Sequence, residues 1–328
     1  MIVTLTPNPS LDRTLHVPEL RRNEVNRASA SLTEPSGKGV NVSLALHRSR
    51  HSTTAVLPVG GGAGVELVAL LDAAGLRHDD VAIEHGIRSN ISLVEADGTT
   101  TKINESGAAL GGSAVTRLLQ RALANTDEGD WLAICGSWPD GFDADDVRTL
   151  LARARAKGVS TALDTAGSGL HDVLAGTGLT PAGAPEPVPH VVKPNAAELA
   201  ELCGSRLRTV GEVLLAAGTV LDRGVSTVLV SLGGDGALLL ERDRPALWGR
   251  VGVPRVVNTA GAGDAFLAGY LLAADLHASA ADRLACALRF GGSAVQAEGT
   301  LFDEVDVGLV VTIEAPDPDR VLTEPAGP

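Results

Sequence analysis

Asp264 is the residue of this sequence on which chemistry would most readily centre. It closes the stretch Asn258-Thr259-Ala260-Gly261-Ala262-Gly263-Asp264, and the helix-like apolar run "AFLAGYLLA" follows it. With a helix over 264–276, the amides of Ala262, Gly263 and Asp264 lie in or just before its first turn. Those N–H groups have no intrahelical partner, and the positive end of the helix dipole stands behind them. Gly261 and Gly263 let an anion come close to bare backbone. The expected occupant is a phosphoryl oxygen. Asp264 itself has three roles open to it: helix cap, cation ligand or general base.

Other glycine stretches fail the familiar nucleotide templates. "GGGAG" at 60–64 sits between a predicted strand and a predicted helix, as a dinucleotide fingerprint would. The third glycine of GxGxxG is nevertheless replaced by Val65 counting from Gly60, by Leu67 from Gly62 and by Phe266 from Gly261. "SGKGVN" (36–41) contains Gly-Lys, but Leu32 and Gly39 occupy positions where a P-loop needs Gly and Ser or Thr.

The elements that would position these residues alternate along the chain. Short apolar runs predict strands at 2–5, 53–59, 131–135, 160–164, 190–194, 226–232 and 236–241. Helical spacing predicts helices at 40–50, 64–76, 143–157, 195–203, 209–223 and 264–276. Such a rhythm implies an α/β fold, doubly wound, with a mostly parallel sheet covered by helices on both faces. "SNISLVEADGTTTKINES" (89–106) breaks it, alternating about an Asp97-Gly98 turn as a β-hairpin does. With strands from about 12–30 it would form a small β element that covers a site as a lid, pairs with a second subunit, or merely decorates the surface. Residues 176–189 read as a Gly/Pro-rich loop, and the Pro-rich tail 315–328 is expected to fray beyond a domain spanning 1–314.

Composition narrows the function classes. The 328-residue chain is 44% apolar and carries a formal net charge of −13, which disfavours an extended nucleic-acid surface. Three widely spaced cysteines, Cys135, Cys203 and Cys286, indicate neither a disulfide framework nor a zinc site, and read as small buried residues in a reducing cytosol. "MIVTLTPNPS" has no basic leader, and no apolar stretch approaches the roughly 20 residues of a membrane span. The expectation is a cytoplasmic protein with neither nucleic-acid nor membrane partners.

Five motifs in order resemble the PfkB (ribokinase-like) family of carbohydrate kinases, within it the phosphosugar branch. "NTAGAGDAFLAG" resembles its C-terminal signature and "GKGVN" (37–41) its N-terminal one. "TPNPSLD" (6–12), "KPNAAELA" (193–200) and "VSLGGDGA" (230–237) are similar to its substrate-side, magnesium-associated and ATP-side segments. Three departures bear on substrate choice: Ala265 replaces the usual serine, "CGSWP" (135–139) replaces SGSLP, and Ser36 precedes Gly37.

The resemblance implies a ribokinase-like fold with a β lid, and roles for individual residues. Asp264 becomes the catalytic base, with Gly261, Ala262 and Gly263 forming an anion hole for the moving phosphoryl group. Asp12 and Asn41 would bond sugar hydroxyls, and Gly37 belongs to the same substrate-side signature. Lys38 and Arg88 would hold the phosphate already on the substrate, with Asn90 and Lys102 nearby on the hairpin. Lys193, Asn195, Ser231, Gly233 and Gly236 would line the nucleotide's phosphates, and 287–295 an apolar adenine pocket. Asn195 and Glu198, three apart at a helix start, would hold hydrated Mg²⁺ or else form an ordinary capping pair.

The implied activity is ATP- and Mg²⁺-dependent phosphorylation of a phosphorylated ketohexose. Fructose 1-phosphate is the expected acceptor, with tagatose 6-phosphate and fructose 6-phosphate as alternatives. A sugar-phosphate-binding regulator without turnover is the more remote reading, and a homodimer through the lid is the implied assembly.

Overall fold

The computed structural model describes residues 1–165, 168–175 and 187–326. A central sheet runs through it in the order β15-β14-β13-β12-β10-β9-β8-β1-β4-β5. Its parallel part comprises β1 (Ile2–Leu5), β4 (Thr53–Val59), β5 (His78–Ala82), β8 (Trp131–Cys135), β9 (Ser160–Asp164), β10 (Val191–Val192) and β12 (Thr227–Ser231). β13 (Ala237–Glu241), β14 (Leu247–Val251) and β15 (Val311–Glu314) extend it antiparallel at one edge. Ile2, Leu5, Val56, Leu132, Ile134, Val228 and Val230 are buried, as strands covered on both faces require.

Two apolar clusters pack on the two faces. One gathers β-strand residues with α3 (Gly112–Ala124), α4 (Ala144–Ala156), α6 (Ala196–Cys203) and α7 (Val210–Asp222). The other contains α1 (Lys38–Arg48), α2 (Gly61–Ala73), α8 (Ala262–Asp275) and α9 (Ala280–Ala294). α5 (Ser168–Ala175) joins the first. α8 is buried along most of its length, which explains why its sequence shows no polar face.

A second sheet, in the order β3-β2-β6-β7, stands apart from the first. It consists of β2 (Ser10–Val17), β3 (Ala30–Ser36), β6 (Arg88–Glu95) and β7 (Thr100–Asn104). The expected hairpin is β6–β7, and Gly98 at its tip has φ +90°. β2 pairs in parallel with β6 and antiparallel with β3. An Arg13–Glu66 ion pair at 2.6 Å ties this sheet to α2.

Two expectations are corrected. Within the described part of the tail, residues 321–326 do not fray: β16 (Val321–Ala326) pairs with β11 (Leu207–Thr209), because Leu322 and Ala326 find buried places in the core. Cys203 and Cys286 are only partly buried, unlike Cys135, and all three are free. In the region 287–295, α9 turns Ala287, Phe290 and Ala294 into the core and leaves Arg289, Gly291 and Val295 half-buried. Of the loop expected at 176–189, residues 176–186 lie outside the described residues. Among the described residues no helix is long and apolar enough to cross a membrane.

Candidate active site

The chain leaves β1 in two directions, to β4 and β5 on one side and to β8, β9, β10 and β12 on the other. In a doubly wound sheet such a reversal opens a crevice beyond the strands' carboxyl ends. The signature residues stand there. Thr6 to Asn8 follow β1, Gly136 and Ser137 follow β8, Asp164 ends β9, and Lys193 follows β10. The helices α1, α6 and α8 begin at this same end, at Gly37, Asn195 and Gly261.

Asp264 occupies the first turn of α8 and is buried. Asn41, from the first turns of α1, donates its Nδ2 hydrogen to Asp264 Oδ2 at 2.7 Å. Burial, and after it the negative charge of Asp164, raises the Asp264 pKa to about 7. The Asn41 bond, Lys38 and Lys193 act in the opposite direction. A carboxylate so poised can accept a proton near neutral pH. Gly261 caps α8 with φ +72°, and a Cβ there would come within 2.3 Å of the Thr300 carbonyl oxygen. Only glycine satisfies both the left-handed backbone and that close approach. Ala262 N donates to Thr259 O at 3.4 Å, so part of the expected amide trio is already engaged.

Beside Asp264 lies a charge cluster that the sequence did not announce. Asp164 is fully buried between two lysines: Lys38 Nζ donates to its Oδ1 at 2.9 Å, and Lys193 Nζ faces its Oδ2 at 3.3 Å. Burial pushes the Asp164 pKa upward, but Lys193 and Lys38 prevail and hold it below the usual carboxylate value. For Lys38, burial opposes the charged form, yet Asp164, Glu198 and Asp264 more than compensate and raise its pKa. Lys38 Nζ also lies 3.7 Å from Glu198 Oε1. The Lys193 ammonium is 3.6 Å from the place where a Cβ on Gly263 would stand. Two ammonium groups thus flank the start of α8.

The lid presents a polar face. Registers place Arg88, Ser10 and Ser36 in one cross-strand row and Asn90, Asp12 and Glu34 in the row two residues on, so all six share one side. Asp12 accepts from Ser10 Oγ at 2.9 Å, Asn90 Nδ2 at 2.8 Å and Ser36 Oγ at 2.8 Å. Arg88 donates to Asn8 O at 3.2 Å, while its Nε and the Asn90 Oδ1 are buried with no partner among the described residues. Glu34 accepts from Thr300 N at 3.1 Å and Thr300 Oγ1 at 3.2 Å, linking the lid to the loop that packs on Gly261. A cavity of about 290 Å³ lined by Glu34, Asn41, Arg48 and Thr300 opens beside this link.

Lys193, Asn195 and Ser231 meet through the β10–β12 pairing, which continues as a bridge between Asn195 and Ser231. Gly233 and Gly236 follow in the turn after β12, with φ +58° and +93°. Asn195 and Glu198 form a reciprocal capping box, each accepting the other's backbone N–H at 2.8 Å. Asn195 Oδ1 is therefore occupied by the helix, and Glu198 keeps one oxygen, Oε1, toward Lys38. Among the described residues no group of three or more His, Cys, Asp or Glu is placed to hold a metal ion. Lys102 lies on β7, paired with Ser92, and is exposed.

Residues 8–306 match the pfkB family of carbohydrate kinases. The chain belongs to that family. It is an ATP-dependent sugar kinase of the phosphosugar type. Its pfkB relatives include a 1-phosphofructokinase of Haloferax volcanii, 34% identical over 307 residues, with 93% of this chain and 94% of that protein covered. ATP-dependent 6-phosphofructokinase isozyme 2 of Escherichia coli is 30% identical over 303 residues, covering 91% and 94%. Phosphofructokinase-2 from Escherichia coli in complex with substrates and products superposes with TM-score 0.83 at 29% identity, over 92% of this chain and 95% of that one.

The motifs assigned no individual role to Asp164, Asn8, Ser10, Ser36 or Ser137, although all but Asp164 stand within the quoted stretches 6–12, 36–41 and 135–139. Asn8 Nδ2 donates to Ser106 O at 3.0 Å and Ser137 Oγ at 3.2 Å, joining the segment after β1 to those after β7 and β8. The one available signal for Asp164 was its place, a lone carboxylate ending the apolar strand "STALD".

Proposed function

We propose that this kinase transfers the γ-phosphoryl group of ATP to the free primary hydroxyl of fructose 1-phosphate, giving fructose 1,6-bisphosphate and ADP. The observation that carries the reading is the buried Asp264 at the start of α8, hydrogen-bonded to Asn41 and raised to a pKa of about 7. Asp264 takes the hydroxyl proton as the sugar oxygen attacks the γ-phosphorus and the bond to the ADP oxygen breaks. The free amides at the helix start, with Lys193 and Lys38, stabilise charge on the moving group. Asp12 bonds sugar hydroxyls, already oriented by Ser10, Ser36 and Asn90. The unpartnered Arg88 Nε and Asn90 Oδ1 provide one donor and one acceptor for the acceptor sugar's phosphate and hydroxyls. The name 1-phosphofructokinase on several relatives favours this acceptor.

Mg²⁺ would neutralise charge on the ATP phosphates. Glu198 Oε1 fits an oxygen contact to a hydrated ion, whereas Asn195 serves the helix cap. A homodimer through the lid would cover the exposed apolar side chains of Leu32 and Ile103, which the registers place on opposite faces of that sheet.

The test is an ADP-release assay with Mg²⁺-ATP and fructose 1-phosphate, fructose 6-phosphate, tagatose 6-phosphate or unphosphorylated fructose. A kcat/KM at least about tenfold higher for fructose 1-phosphate supports the named acceptor. Preference for a 6-phosphate keeps the mechanism and changes the acceptor, a reading that the relatives named 6-phosphofructokinase isozyme 2 favour. Binding without turnover of any of the four leaves the regulatory reading.

A further inference from the structure

The segment after residue 306 lies beyond the match to the pfkB family, and its end is docked against the turn that follows β12. Arg320 O accepts from Val210 N at 2.9 Å and Pro318 O from Gly211 N at 2.9 Å, which fixes the approach to β16. β16 then pairs with β11, and Leu322 is buried. Between these anchors, Thr323 reaches Asp235. Its backbone N–H donates to Asp235 Oδ2 at 2.7 Å and its Oγ1 to Asp235 Oδ1 at 2.6 Å. Trp248 Nε1 donates to the Asp235 carbonyl at 3.0 Å, and the Arg320 guanidinium stacks 3.9 Å above the Trp248 ring.

Asp235 belongs to a turn with an unusual need for support. Leu232-Gly233-Gly234-Asp235-Gly236 contains three glycines, two of them at positive φ. Glycine populates many backbone states, and ordering such a turn around a ligand costs entropy. Both Asp235 carboxylate oxygens and its carbonyl are held from outside the turn, by Thr323 and Trp248. Held so, the turn is ordered before any ligand arrives, and affinity for that ligand rises.

We infer that Thr323 is a positioning residue for nucleotide binding: acting through Asp235, the C-terminal strand fixes the Gly233–Gly236 turn in its ATP-binding shape. This rests on reading that turn as the phosphate-side nucleotide loop.

The experiment measures the Kd of Mg²⁺-ATP by titration calorimetry, and the KM of fructose 1-phosphate, in the full chain. The variants are Thr323→Val, Thr323→Ser and Asp235→Asn, with thermal unfolding as a control for folding. Thr323→Val should weaken ATP about fivefold, Thr323→Ser should stay within about twofold of the parent, and the sugar KM should hold within about twofold. Combining Thr323→Val with Asp235→Asn should weaken ATP no further than the stronger single change. ATP affinity unchanged in Thr323→Val, with or without a lower Tm, overturns the inference and leaves the kinase reading standing. A parent protein that binds no ATP overturns both.

Discussion

Asn41 Nδ2 lies 2.7 Å from Asp264 Oδ2, and this single bond joins the first turns of two helices separated by more than two hundred residues of chain. It favours the ionised carboxylate against the burial that opposes it. A base with a pKa of about 7 is active only when deprotonated, so kcat/KM should fall as pH drops below about 7. Asn41→Ala removes a bond to the charged form, so the acid limb should move to higher pH. Asp264→Asn should lower kcat roughly 10²–10⁴-fold above pH 7, and the gap should narrow as the parent's own base protonates at lower pH. Rate profiles from pH 5.5 to about 9 check all three.

The same carboxylate should cost stability. A folded-state pKa raised above the unfolded value means that the folded protein binds the extra proton, so stability declines as pH rises from about 4 through about 7. Above that window the buried charge remains a burden. At pH 8 the neutral Asp264→Asn should therefore be more stable than the parent, by roughly 1–2 kcal/mol, despite losing activity. Denaturant unfolding of the two proteins at pH 8 measures the difference.

Asp164 behaves in the opposite sense. Its pKa is depressed in the folded state, so its contribution is present above the unfolded carboxylate pKa and is lost as pH falls through the folded one. Asp164→Asn removes the carboxylate that Lys38 and the buried Lys193 share, and leaves Lys38 with Glu198 at 3.7 Å. A loss of about 3 kcal/mol is expected, as for other buried pairs stripped of one partner. Thermal unfolding should show it at neutral pH, and the gap should close on acidification.

On the lid, Arg88→Met removes the forked donor while keeping much of its length. The KM for the phosphosugar should rise about 30-fold and the KM for ATP should not change. Initial rates with each substrate varied in turn separate the two, and an equal rise in both would assign Arg88 to general lid stability.

Gly261→Ala places a methyl group against the Thr300 carbonyl in a backbone region that alanine disfavours. Both effects strain the loop between Thr300 and the start of α8, and about 2 kcal/mol or more of stability should be lost. A lower Tm with a reduced kcat is the expected outcome. Glu34→Gln, which weakens the grip on Thr300 from the lid side, should lower kcat in the same direction but less.

The sequence by itself determined the parallel sheet, because fully apolar runs such as "WLAIC" and "STVLVSL" alternate with helical spacing and strands buried on both faces need that composition. It also singled out Asp264, because a glycine-rich stretch opens the apolar helix there, whereas Asn41, Lys38 and Lys193 were legible only through motifs that resemble those of the pfkB family. What it left open depended on pairing across long separations. No local pattern states that β2 lies parallel to β6, yet that register alone puts Arg88, Ser10, Asn90 and Asp12 on one face. Nor does "STALD" reveal that its last residue stands between Lys38 and Lys193, which arrive from 126 residues before it and from the neighbouring strand. The tail read as fraying because prolines and charges dominate it, while the few apolar residues that dock it, Leu322 above all, are too sparse to form a period. Spacing along a chain reports which side of an element is apolar; which charges meet, and how far burial shifts them, is set only when the sheet order brings distant strand ends to one crevice.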